Sequence, residues 1–461
     1  MMKIKKITKL CSGLLMICMI ISSFMSIKAQ GSNNNSNKLE WFEEARFGMF
    51  VHWGLYSLLG GSYQGRTMPD TTLANGNSWY AEWIQQRLEI PMDDYKALAP
   101  RFNPKDFNAD EWIGLAKQAG MKYFVITAKH HDGFALWNSD VSDFDIGATA
   151  LKDRDILGEL VAACRKHGLR YGFYYSHWQD WEHPQGAVPF WHSPRRATDF
   201  EVYWKQKCLP QVKELIERYD PDLLWFDTWD NEAKELITAE RRDELISLIR
   251  SLSKKCLING RIAMHDPGDD IDFREMMDNA YPQDMQSKPW QTPATMNHTW
   301  AYHGNDFNWK SSGEMLRYLV SNASKGGNYL LNIGPKADGT LPLPGVRRLQ
   351  EMGAWLLANG EAIYATEVAS NLRGTQDVVF TQKKLEGDRQ AIYAHIMGDA
   401  VDNKLTITLA KNVDTCQLLD TGEILHFSNA GGDIVIELPK RARYDTSIRV
   451  IKIITRQQGI Y

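Results

Sequence analysis

The chain has 461 residues, of which 43% are hydrophobic and 24% are charged, and its formal net charge is −4. This composition is typical of a globular protein and excludes a disordered or fibrous one. The length exceeds what one ordinary hydrophobic core needs and favours a large barrel followed by a smaller domain. The acidic balance disfavours nucleic acid as a partner, because such a partner selects a basic surface.

The first 29 residues have the features of an export signal. Lysines at positions 3, 5, 6 and 9 precede the apolar run Leu10–Phe24, and Ala29 is a small residue at a predicted cleavage point before Gln30. We therefore expect residues 1–29 to be a signal peptide, so that an exported, periplasmic or secreted protein remains, with a net charge of about −9. Residues 30–37 predict a polar linker. No later segment is predicted to span a membrane.

Four of the six cysteines lie outside the predicted signal peptide. They are Cys164, Cys208, Cys256 and Cys416. Their wide spacing shows neither CxxC nor the pairing of zinc ligands. We predict isolated buried thiols, with one disulfide as the open alternative.

Residues 38–366 repeat one pattern, in which an amphipathic helical stretch is followed by a short apolar run with a polar end. Alternation of this kind predicts a parallel sheet covered by helices. The predicted helices include Asp110–Ala119, Asp155–His167, Trp204–Tyr219, Ala239–Lys254 and Gly345–Asn359. The predicted strands are Phe47–His52, Lys122–Ala128, Arg170–Ser176, Asp222–Asp227, Leu257–Arg261 and Asn328–Gly334, with weaker candidates at Asp272–Met277 and Thr299–His303. This count favours an α/β fold of the (β/α)8-like TIM barrel type over an open sheet.

Residues 367–461 show a different pattern, because helical periodicity stops. Short strand-like runs separated by Gly, Asp and Asn lie at Val378–Thr381, Gln390–Met397, Leu405–Leu409, Asp433–Leu438 and Ile448–Ile454. The pattern predicts a C-terminal antiparallel β-sandwich domain.

Ionisable side chains gather at the predicted strand ends, where a barrel places its active site. They are His52, His130, His131, Tyr174, Asp227 and Arg261. Asp227 closes an apolar strand, which suits a nucleophile that attacks an electrophilic carbon. The structural alternative is an aspartate that caps the helix predicted at Asn231–Ile237.

The histidine pair His130–His131 raises the question of a metal. The chain has no HExxH, no HxH and no compact carboxylate–histidine cluster, so we predict neither a metal nor another cofactor. Imidazoles and aromatic rings together with Arg261 and one carboxylate favour a sugar site instead. Such a site offers hydrogen bonds to hydroxyl groups and flat apolar walls to C–H faces.

Several motifs, in order along residues 39–366, carry a resemblance to a known family. They are WFEEARFGMFVHWG (41–54), AKHHDGF (128–134), YGFYYSHWQD (171–180), LLWFD (223–227), NHTWAY (297–302) and SKGGNYLLNIGP (324–335). Together they resemble the α-L-fucosidases of glycoside hydrolase family 29. The resemblance implies a barrel with a C-terminal β-sandwich that hydrolyses α-fucosides with retention of configuration and without a metal. A fucosylated oligosaccharide or glycoconjugate is the implied substrate.

The resemblance also implies residue roles. Asp227 matches the family's nucleophile. The positions that match residues in contact with the sugar or the nucleophile are His52, Glu82, Trp83, His130, His131, Tyr174, Trp225, Arg261 and Trp300.

The chain departs from its relatives at the position of the catalytic acid/base. A retaining mechanism needs a second carboxyl group about 5–5.5 Å from the nucleophile. Many relatives have a glutamate in a Trp-Glu-Thr stretch, and here Gln291 takes its place, which can hydrogen-bond to substrate but cannot supply a proton. Asp278 is the first alternative and Glu275 the second, and either could instead cap a turn.

Two other hypotheses remain beside an active enzyme. A catalytically impaired fucose-binding barrel would follow if Gln291 replaced the essential acid. A related glycosidase of shifted sugar specificity would follow if Ala301, where relatives have glycine, altered the pocket wall.

Overall fold

Eight parallel strands form one sheet in the first part of the chain. They are β1 Phe47–Val51, β2 Tyr123–Lys129, β3 Arg170–Tyr175, β4 Leu223–Trp225, β5 Leu257–Ile258, β6 Arg274–Glu275, β7 Trp290–Thr295 and β8 Asn328–Ile333. The strand order is β5-β4-β3-β2-β1-β8-β7-β6. A parallel bridge joins Asn259, just beyond β5, to Phe273, just before β6. The two edges therefore meet, and the predicted TIM barrel is confirmed.

This computed structural model describes residues 38–73, 76–189, 199–229, 231–375, 377–398, 403–409, 411–440 and 448–456. The predicted signal peptide and linker, residues 1–37, lie outside the described residues. The barrel and the β-sandwich lie in one compact unit, Glu44–Tyr461.

In the part of the chain that the structure describes, six longer helices accompany the strands. They are α1 Ala109–Gln118, α2 Ile156–His167, α3 Leu209–Tyr219, α4 Ala239–Leu252, α5 Ser312–Ser324 and α6 Leu343–Asn359. Side-chain oxygens of Asn108, Asp155, Thr238 and Ser311 accept backbone N–H groups at four of the helix starts, as N-caps do. Within the described ranges, no helix combines the length and hydropathy needed to cross a membrane.

Shorter elements fill the connections. Short α-helices are Tyr56–Leu59, Ile84–Arg87, Met92–Lys96, Phe200–Tyr203 and Asn231–Leu236, and a π-helical turn, Trp204–Cys208, leads into α3. Single 3₁₀ turns are Ala81–Trp83, Ala99–Arg101, Ile146–Ala148, Gly260–Ile262 and Gly360–Ala362. A hairpin pairs Ser62–Tyr63 with Arg66–Thr67.

The seventh strand corrects the sequence prediction. Thr299–His303 is not a strand, and β7 is Trp290–Thr295, a polar segment that contains Pro293. Proline lacks an N–H and is normally excluded from a central strand. Here β6 ends at Glu275, which pairs with Gln291, so the missing N–H of Pro293 lies where no β6 ladder remains. A proline therefore costs no ladder hydrogen bond.

The C-terminal residues form two antiparallel sheets. The strands are β9 Glu367–Val368, β10 Arg373–Gly374, β11 Val378–Lys384, β12 Arg389–Ile396, β13 Lys404–Thr408, β14 Asn412–Leu418, β15 Phe427–Ala430, β16 Asp433–Glu437 and β17 Arg449–Arg456. The sheet orders are β9-β11-β12-β17-β14 and β10-β13-β16-β15. The predicted sandwich is confirmed, and β14 and β15 are strands that the sequence prediction missed.

The sandwich is anchored to the end of α6 and the turn that follows it. The Trp355 indole N–H donates to the Ile448 carbonyl at 2.9 Å, and the Thr381 hydroxyl donates to the Ala362 carbonyl at 2.7 Å. Cys164, Cys208, Cys256 and Cys416 are all buried and unpaired, as the sequence predicted.

Candidate active site

The C-terminal strand ends of the barrel surround a cavity of about 320 Å³. The lining residues are Phe50, His52, Tyr80, Glu82, Trp83, Arg87, His130, His131, Tyr174, Trp225, Asp227, Trp229, Arg261, Met277, Asp278 and Trp300. All the site residues predicted from the sequence are in this set except Glu275 and Gln291. Residues from the ends of β1 to β5 thus meet at one place, as barrel geometry requires.

Asp227 lies at the base of the cavity, just after β4. Its Oδ1 accepts a hydrogen bond from Arg261 Nη1 at 2.9 Å, and its Oδ2 accepts one from the Tyr174 hydroxyl at 2.9 Å. The His131 Nε2 is 3.9 Å from Oδ2. Side chains that line the cavity therefore engage both carboxylate oxygens of Asp227, and position 230, directly before the following helix, lies outside the described residues.

The charge of Asp227 depends on its surroundings. Burial raises the pKa of the Asp227 carboxyl above its usual value, and the Arg261 guanidinium opposes that rise. The guanidinium also lies over the Trp225 ring, 5.1 Å from the ring centroid. Aromatic walls and one buried cation therefore hold a carboxylate in a site from which bulk water is largely excluded.

Asp278 is the second carboxylate at the cavity. Its Oδ1 accepts from Arg261 Nη2 at 2.7 Å, so the two nitrogens of one guanidinium hold Asp227 and Asp278. The Asp278 side chain is 34% exposed, whereas that of Asp227 is 12% exposed. One carboxylate is thus buried and the other is open to solvent, so Asp278 is accessible both to a leaving group and to water.

Glu275 does not lie at the cavity, which argues against the acid/base role considered for it. It is 6% exposed, and its Oε1 accepts from Gln291 Nε2 at 2.6 Å. Burial raises the pKa of the Glu275 carboxyl well above its usual value. A buried group without access to the cavity has no route to the leaving oxygen.

Gln291 also lies inside the barrel, which corrects its predicted contact with substrate. It is the second residue of β7 and fully buried, and its Oε1 accepts from the Tyr123 hydroxyl at 2.6 Å. The position that holds glutamate in many relatives therefore points into the barrel interior in this chain.

His52 presents a defined tautomer to the cavity. Asn332 Nδ2 donates to the Trp300 carbonyl at 2.6 Å, which leaves Asn332 Oδ1 as the acceptor for His52 Nδ1, at 2.7 Å. The proton of the neutral ring is therefore on Nδ1, and Nε2 is free to accept a hydrogen bond. Burial lowers the pKa of His52 to about 3, so the ring is neutral near pH 7.

The His130–His131 pair lies next to Asp227, and both rings are neutral because burial lowers their pKa values well below the usual one. The Ser176 hydroxyl donates to the Gln179 carbonyl at 2.9 Å and accepts from His131 Nδ1 at 2.7 Å. The His130 ring stacks on Tyr174, with 5.3 Å between centroids. The two histidines thus act as fixed neutral hydrogen-bonding groups.

Glu82 adds a third carboxyl group to the cavity wall. Its Oε2 accepts from the Ala301 backbone N–H at 3.1 Å, and its Oε1 has no hydrogen-bond partner among the residues that the structure describes. Burial raises the pKa of Glu82 to about 7. Ala301 acts through its backbone and is not a lining residue, so the glycine-to-alanine difference does not reshape the cavity wall.

Several lining residues were missed by sequence reasoning. They are Phe50, Tyr80, Arg87, Trp229 and Met277. A period of two would have found Phe50, which lies on β1 two residues before His52. Trp229 lies beyond the end of β4, where strand periodicity no longer applies. Tyr80, Arg87 and Met277 lie on connections whose path no periodicity predicts.

Some polar atoms of the residues that line the cavity lack a hydrogen-bond partner in the described part of the protein. Across the described ranges, Glu82 Oε1, His130 Nδ1, Trp225 Nε1 and Arg261 Nε are buried without a hydrogen-bond partner. Buried polar atoms are nearly always paired, so unpaired atoms in the residues of one cavity indicate a polar ligand. Among the described residues, no three His, Cys, Asp or Glu side chains are placed so that together they could hold a metal ion.

Comparison with known proteins identifies relatives along most of the chain. The sequence profile described as alpha-L-fucosidase matches residues 22–361. A plasma α-L-fucosidase of Homo sapiens is 30% identical over 428 residues, which cover 87% of this chain and 85% of that protein. The solved structure of an α-L-fucosidase from Vibrio sp. strain EJY3 is 35% identical, with a TM-score of 0.81, and the match covers 91% of this chain and 73% of the other.

A further solved structure bears on chemistry. An α-L-fucosidase of Bacteroides thetaiotaomicron, trapped as a covalent intermediate with 2-fluoro-fucosyl fluoride, is 26% identical with a TM-score of 0.79. The match covers 91% of this chain and 96% of that one.

Proposed function

Because the chain belongs to the α-L-fucosidase family of glycoside hydrolases, we propose that it hydrolyses terminal α-L-fucosyl residues from glycans with retention of configuration. Asp227 is the nucleophile and Asp278 the acid/base. The observation that carries this assignment is the guanidinium of Arg261, which holds both carboxylates at the cavity.

In the first step, Asp227 attacks the anomeric carbon from the face opposite the leaving group. The bond between that carbon and the glycosidic oxygen breaks, and protonated Asp278 delivers its proton to the departing oxygen. The product is a β-linked fucosyl ester of Asp227. The covalent intermediate trapped in the Bacteroides thetaiotaomicron enzyme supports this step for the present chain.

In the second step, Asp278 acts as a base. It takes a proton from a water molecule whose oxygen attacks the anomeric carbon, and the ester bond to Asp227 breaks. Two inversions return the sugar to the α configuration. Arg261 and Tyr174 stabilise the Asp227 carboxylate as leaving group, because both donate to its oxygens.

Sugar recognition is supported by the polar side chains that line the cavity. His52 Nε2 is an acceptor, and Glu82 and His130 add a carboxyl group and a second imidazole for hydrogen bonds to hydroxyl groups. The rings of Trp225 and Trp300 provide apolar surface for the C–H faces and the methyl group of a deoxyhexose. The neutral imidazoles of His52, His130 and His131 bind an uncharged sugar without the cost of desolvating extra charge.

Two observations disfavour the alternative of an impaired fucose-binding protein. That hypothesis assumed that Gln291 stands where the proton donor should be, whereas Gln291 lies in the barrel interior. A carboxylate, Asp278, is present at the cavity, and a pure binder has no use for a nucleophile paired with it.

Azide rescue tests both assignments with one reagent. Asp227→Gly should lose hydrolysis of an aryl α-L-fucoside by at least about 10⁴-fold, and azide should then give β-L-fucosyl azide by a single inversion. Asp278→Gly should give α-L-fucosyl azide, because azide attacks the β-linked ester. Exchanged anomers, or full activity in Asp227→Gly, would refute the roles of the two aspartates. Asp243→Gly, at an exposed helical position, is the matched control and should respond to azide no differently from wild type.

We also propose that the protein is exported with cleavage before Gln30. The support is the basic start, the apolar run Leu10–Phe24 and the small residue at position 29. N-terminal sequencing of protein from the periplasm or medium should begin at Gln30, and Leu15→Arg should block export. Recovery of intact residue 1 from the cytoplasm in wild type would contradict the proposal.

A further inference from the structure

A network of buried hydrogen bonds crosses the barrel interior beneath the cavity. We call its four members, Tyr123, Gln291, Glu275 and Asn259, the interior network. The Tyr123 hydroxyl donates to Gln291 Oε1, and Gln291 Nε2 donates to Glu275 Oε1, each at 2.6 Å. Asn259 Nδ2 lies 3.4 Å from the same Glu275 oxygen. The network thus joins β2, β7, β6 and the end of β5, and none of its members lines the cavity.

The network ends on the backbone beside the nucleophile. The backbone pairing of β4 with β5 stops at Leu224 and Ile258. Beyond that point, Asn259 Oδ1 accepts from the Phe226 N–H at 2.8 Å, and Asn259 Nδ2 donates to the Phe226 carbonyl at 2.9 Å. A side-chain amide therefore replaces the next step of the ladder, and the residue that follows Phe226 is Asp227.

The orientation of each amide is fixed by its neighbours. Asn259 Nδ2 serves two acceptors, the Phe226 carbonyl and Glu275 Oε1, so a rotated amide would place oxygen against oxygen. Gln291 presents its oxygen to the Tyr123 hydroxyl and its nitrogen to Glu275 Oε1. Loss of the link between Gln291 and Glu275 would leave a buried donor and a buried acceptor unpaired at that point.

The backbone of β1 is adapted to the network. A Cβ atom on Gly48 would lie 2.4 Å from the Tyr123 ring, so only glycine lets that ring occupy its place in the interior. Burial raises the pKa of the Glu275 carboxyl well above its usual value, which favours the neutral form. A second negative charge is thereby kept away from Asp227.

We propose that the interior network positions the nucleophile Asp227, with the hydrogen bond between Gln291 and Glu275 as its central link. The proposal rests on the proposed function, because it assumes that Asp227 attacks the sugar. Gln291 and Glu275 are positioning residues that act through Asn259 and the Phe226 backbone. When the link is lost, Glu275 is free to move away from the Asn259 amide that it contacts, the Phe226 backbone bonded to that amide shifts with it, and the Asp227 carboxylate shifts relative to the anomeric carbon.

A matched pair of glutamines allows a sharp test. Gln291→Met removes the central link at nearly constant volume. Gln211→Met is the control, because Gln211 is equally buried on α3 and also accepts from a tyrosine hydroxyl, that of Tyr175 at 2.8 Å. Gln291→Met should lower kcat on an aryl α-L-fucoside by on the order of 100-fold and change KM by less than about threefold. Gln211→Met should lower Tm to a similar degree and change kcat by less than about twofold.

Glu275→Gln is the conservative rescue. It retains an acceptor for Gln291, so kcat should stay within about fivefold of wild type. A folded but inactive Glu275→Gln would show that the carboxyl proton itself is required, which overturns a positioning role. Equal losses of kcat in Gln291→Met and Gln211→Met would show a merely structural effect and would also overturn it.

Crystal structures of wild type and Gln291→Met give a readout that does not depend on turnover. The contacts of Asp227 with Arg261 and Tyr174 should lengthen in the variant, and unchanged contacts would refute the proposal. If wild type itself does not turn over an aryl fucoside, the proposed function fails, while the structures still decide the positioning. Should Gln291→Met not fold, Tyr123→Phe with the control Tyr175→Phe tests the same network, with an expected loss of several-fold in kcat only in Tyr123→Phe.

Discussion

Asp227 and Asp278 are held by the two terminal nitrogens of a single guanidinium group, that of Arg261. The pairing fixes the distance between the two carboxylates through the rigid geometry of one planar group. Since the retaining mechanism proposed above depends on that distance, Arg261 would serve geometry as well as charge.

Removal of the guanidinium charge should be visible in the pH profile. In Arg261→Gln, the pKa of Asp227 should rise, because Arg261 opposes the effect of burial in the native protein. The acid limb of kcat/KM should move to higher pH, and its maximum should fall on the order of 100-fold. Arg170→Gln is the control, because the exposed Arg170 side chain pairs with a different aspartate, the buried Asp222. An unmoved acid limb in Arg261→Gln would contradict the electrostatic role.

Glu82 should make the protein less stable as pH rises. Its pKa is raised from 4.5 in the unfolded chain to about 7 in the folded protein, so the folded state binds more protons between these values. The stabilisation from the neutral form is complete below pH 4.5 and is lost as pH rises through 7, by about 3 kcal/mol. The difference in free energy of unfolding between Glu82→Gln and wild type should therefore grow in favour of the variant from pH 4.5 to 8. If urea unfolding gives a difference in free energy of unfolding that stays constant from pH 4.5 to 8, the raised pKa of Glu82 is excluded.

His395 should have the opposite effect, in the β-sandwich. Burial lowers its pKa from 6.5 to about 3, so the unfolded chain binds more protons between these values. Stability is complete above pH 6.5 and falls as pH decreases toward 3, by about 2–3 kcal/mol at pH 4.5. His395→Gln should lose less stability than wild type between pH 7 and 4.5, with aryl fucosidase activity unchanged at pH 7. Parallel unfolding curves for the two proteins would contradict this prediction.

Gly48 should tolerate no side chain while Tyr123 is present. Gly48→Ala places a Cβ about 2.4–2.6 Å from the Tyr123 ring and should destabilise by about 1–3 kcal/mol in thermal unfolding. Combined with Tyr123→Leu, the added cost of Gly48→Ala should shrink, because the ring is gone. Gly313→Ala, in α5 with open space around its Cβ position, is the control and should not destabilise. Additive effects of Gly48→Ala and Tyr123→Leu would refute the contact.

The ends of the barrel strands were predicted well because the sequence pattern that marks a strand end is local. Each apolar run that stops at a polar residue carries its own evidence, so His52, His130, Asp227 and Arg261 could be assigned to one rim without knowledge of their contacts. The start of α2 was equally clear, since Asp155 accepts from the Gly158 N–H as an N-cap. Local chemistry of this kind does not depend on the rest of the fold.

β7 and the neighbouring carboxyl groups could not be predicted in the same way. Pro293 is compatible with a strand only because β6 is two residues long, a fact that belongs to the neighbouring strand. Glu275 and Asp278 are three residues apart, yet one points into the barrel and the other lines the cavity. Asn279, with a φ of 54°, turns the backbone directly after Asp278.

By itself, the sequence determined the alternation of strands and helices, the two domains and the set of polar groups at the strand ends, because hydrophobic period and capping are properties of short segments. Only the tertiary structure decided which carboxyl group faces Asp227 and that Gln291 is an interior residue. Side-chain direction in a barrel depends on the register between strands, and a shift of one residue exchanges inside and outside. That register is set by closure of the whole sheet.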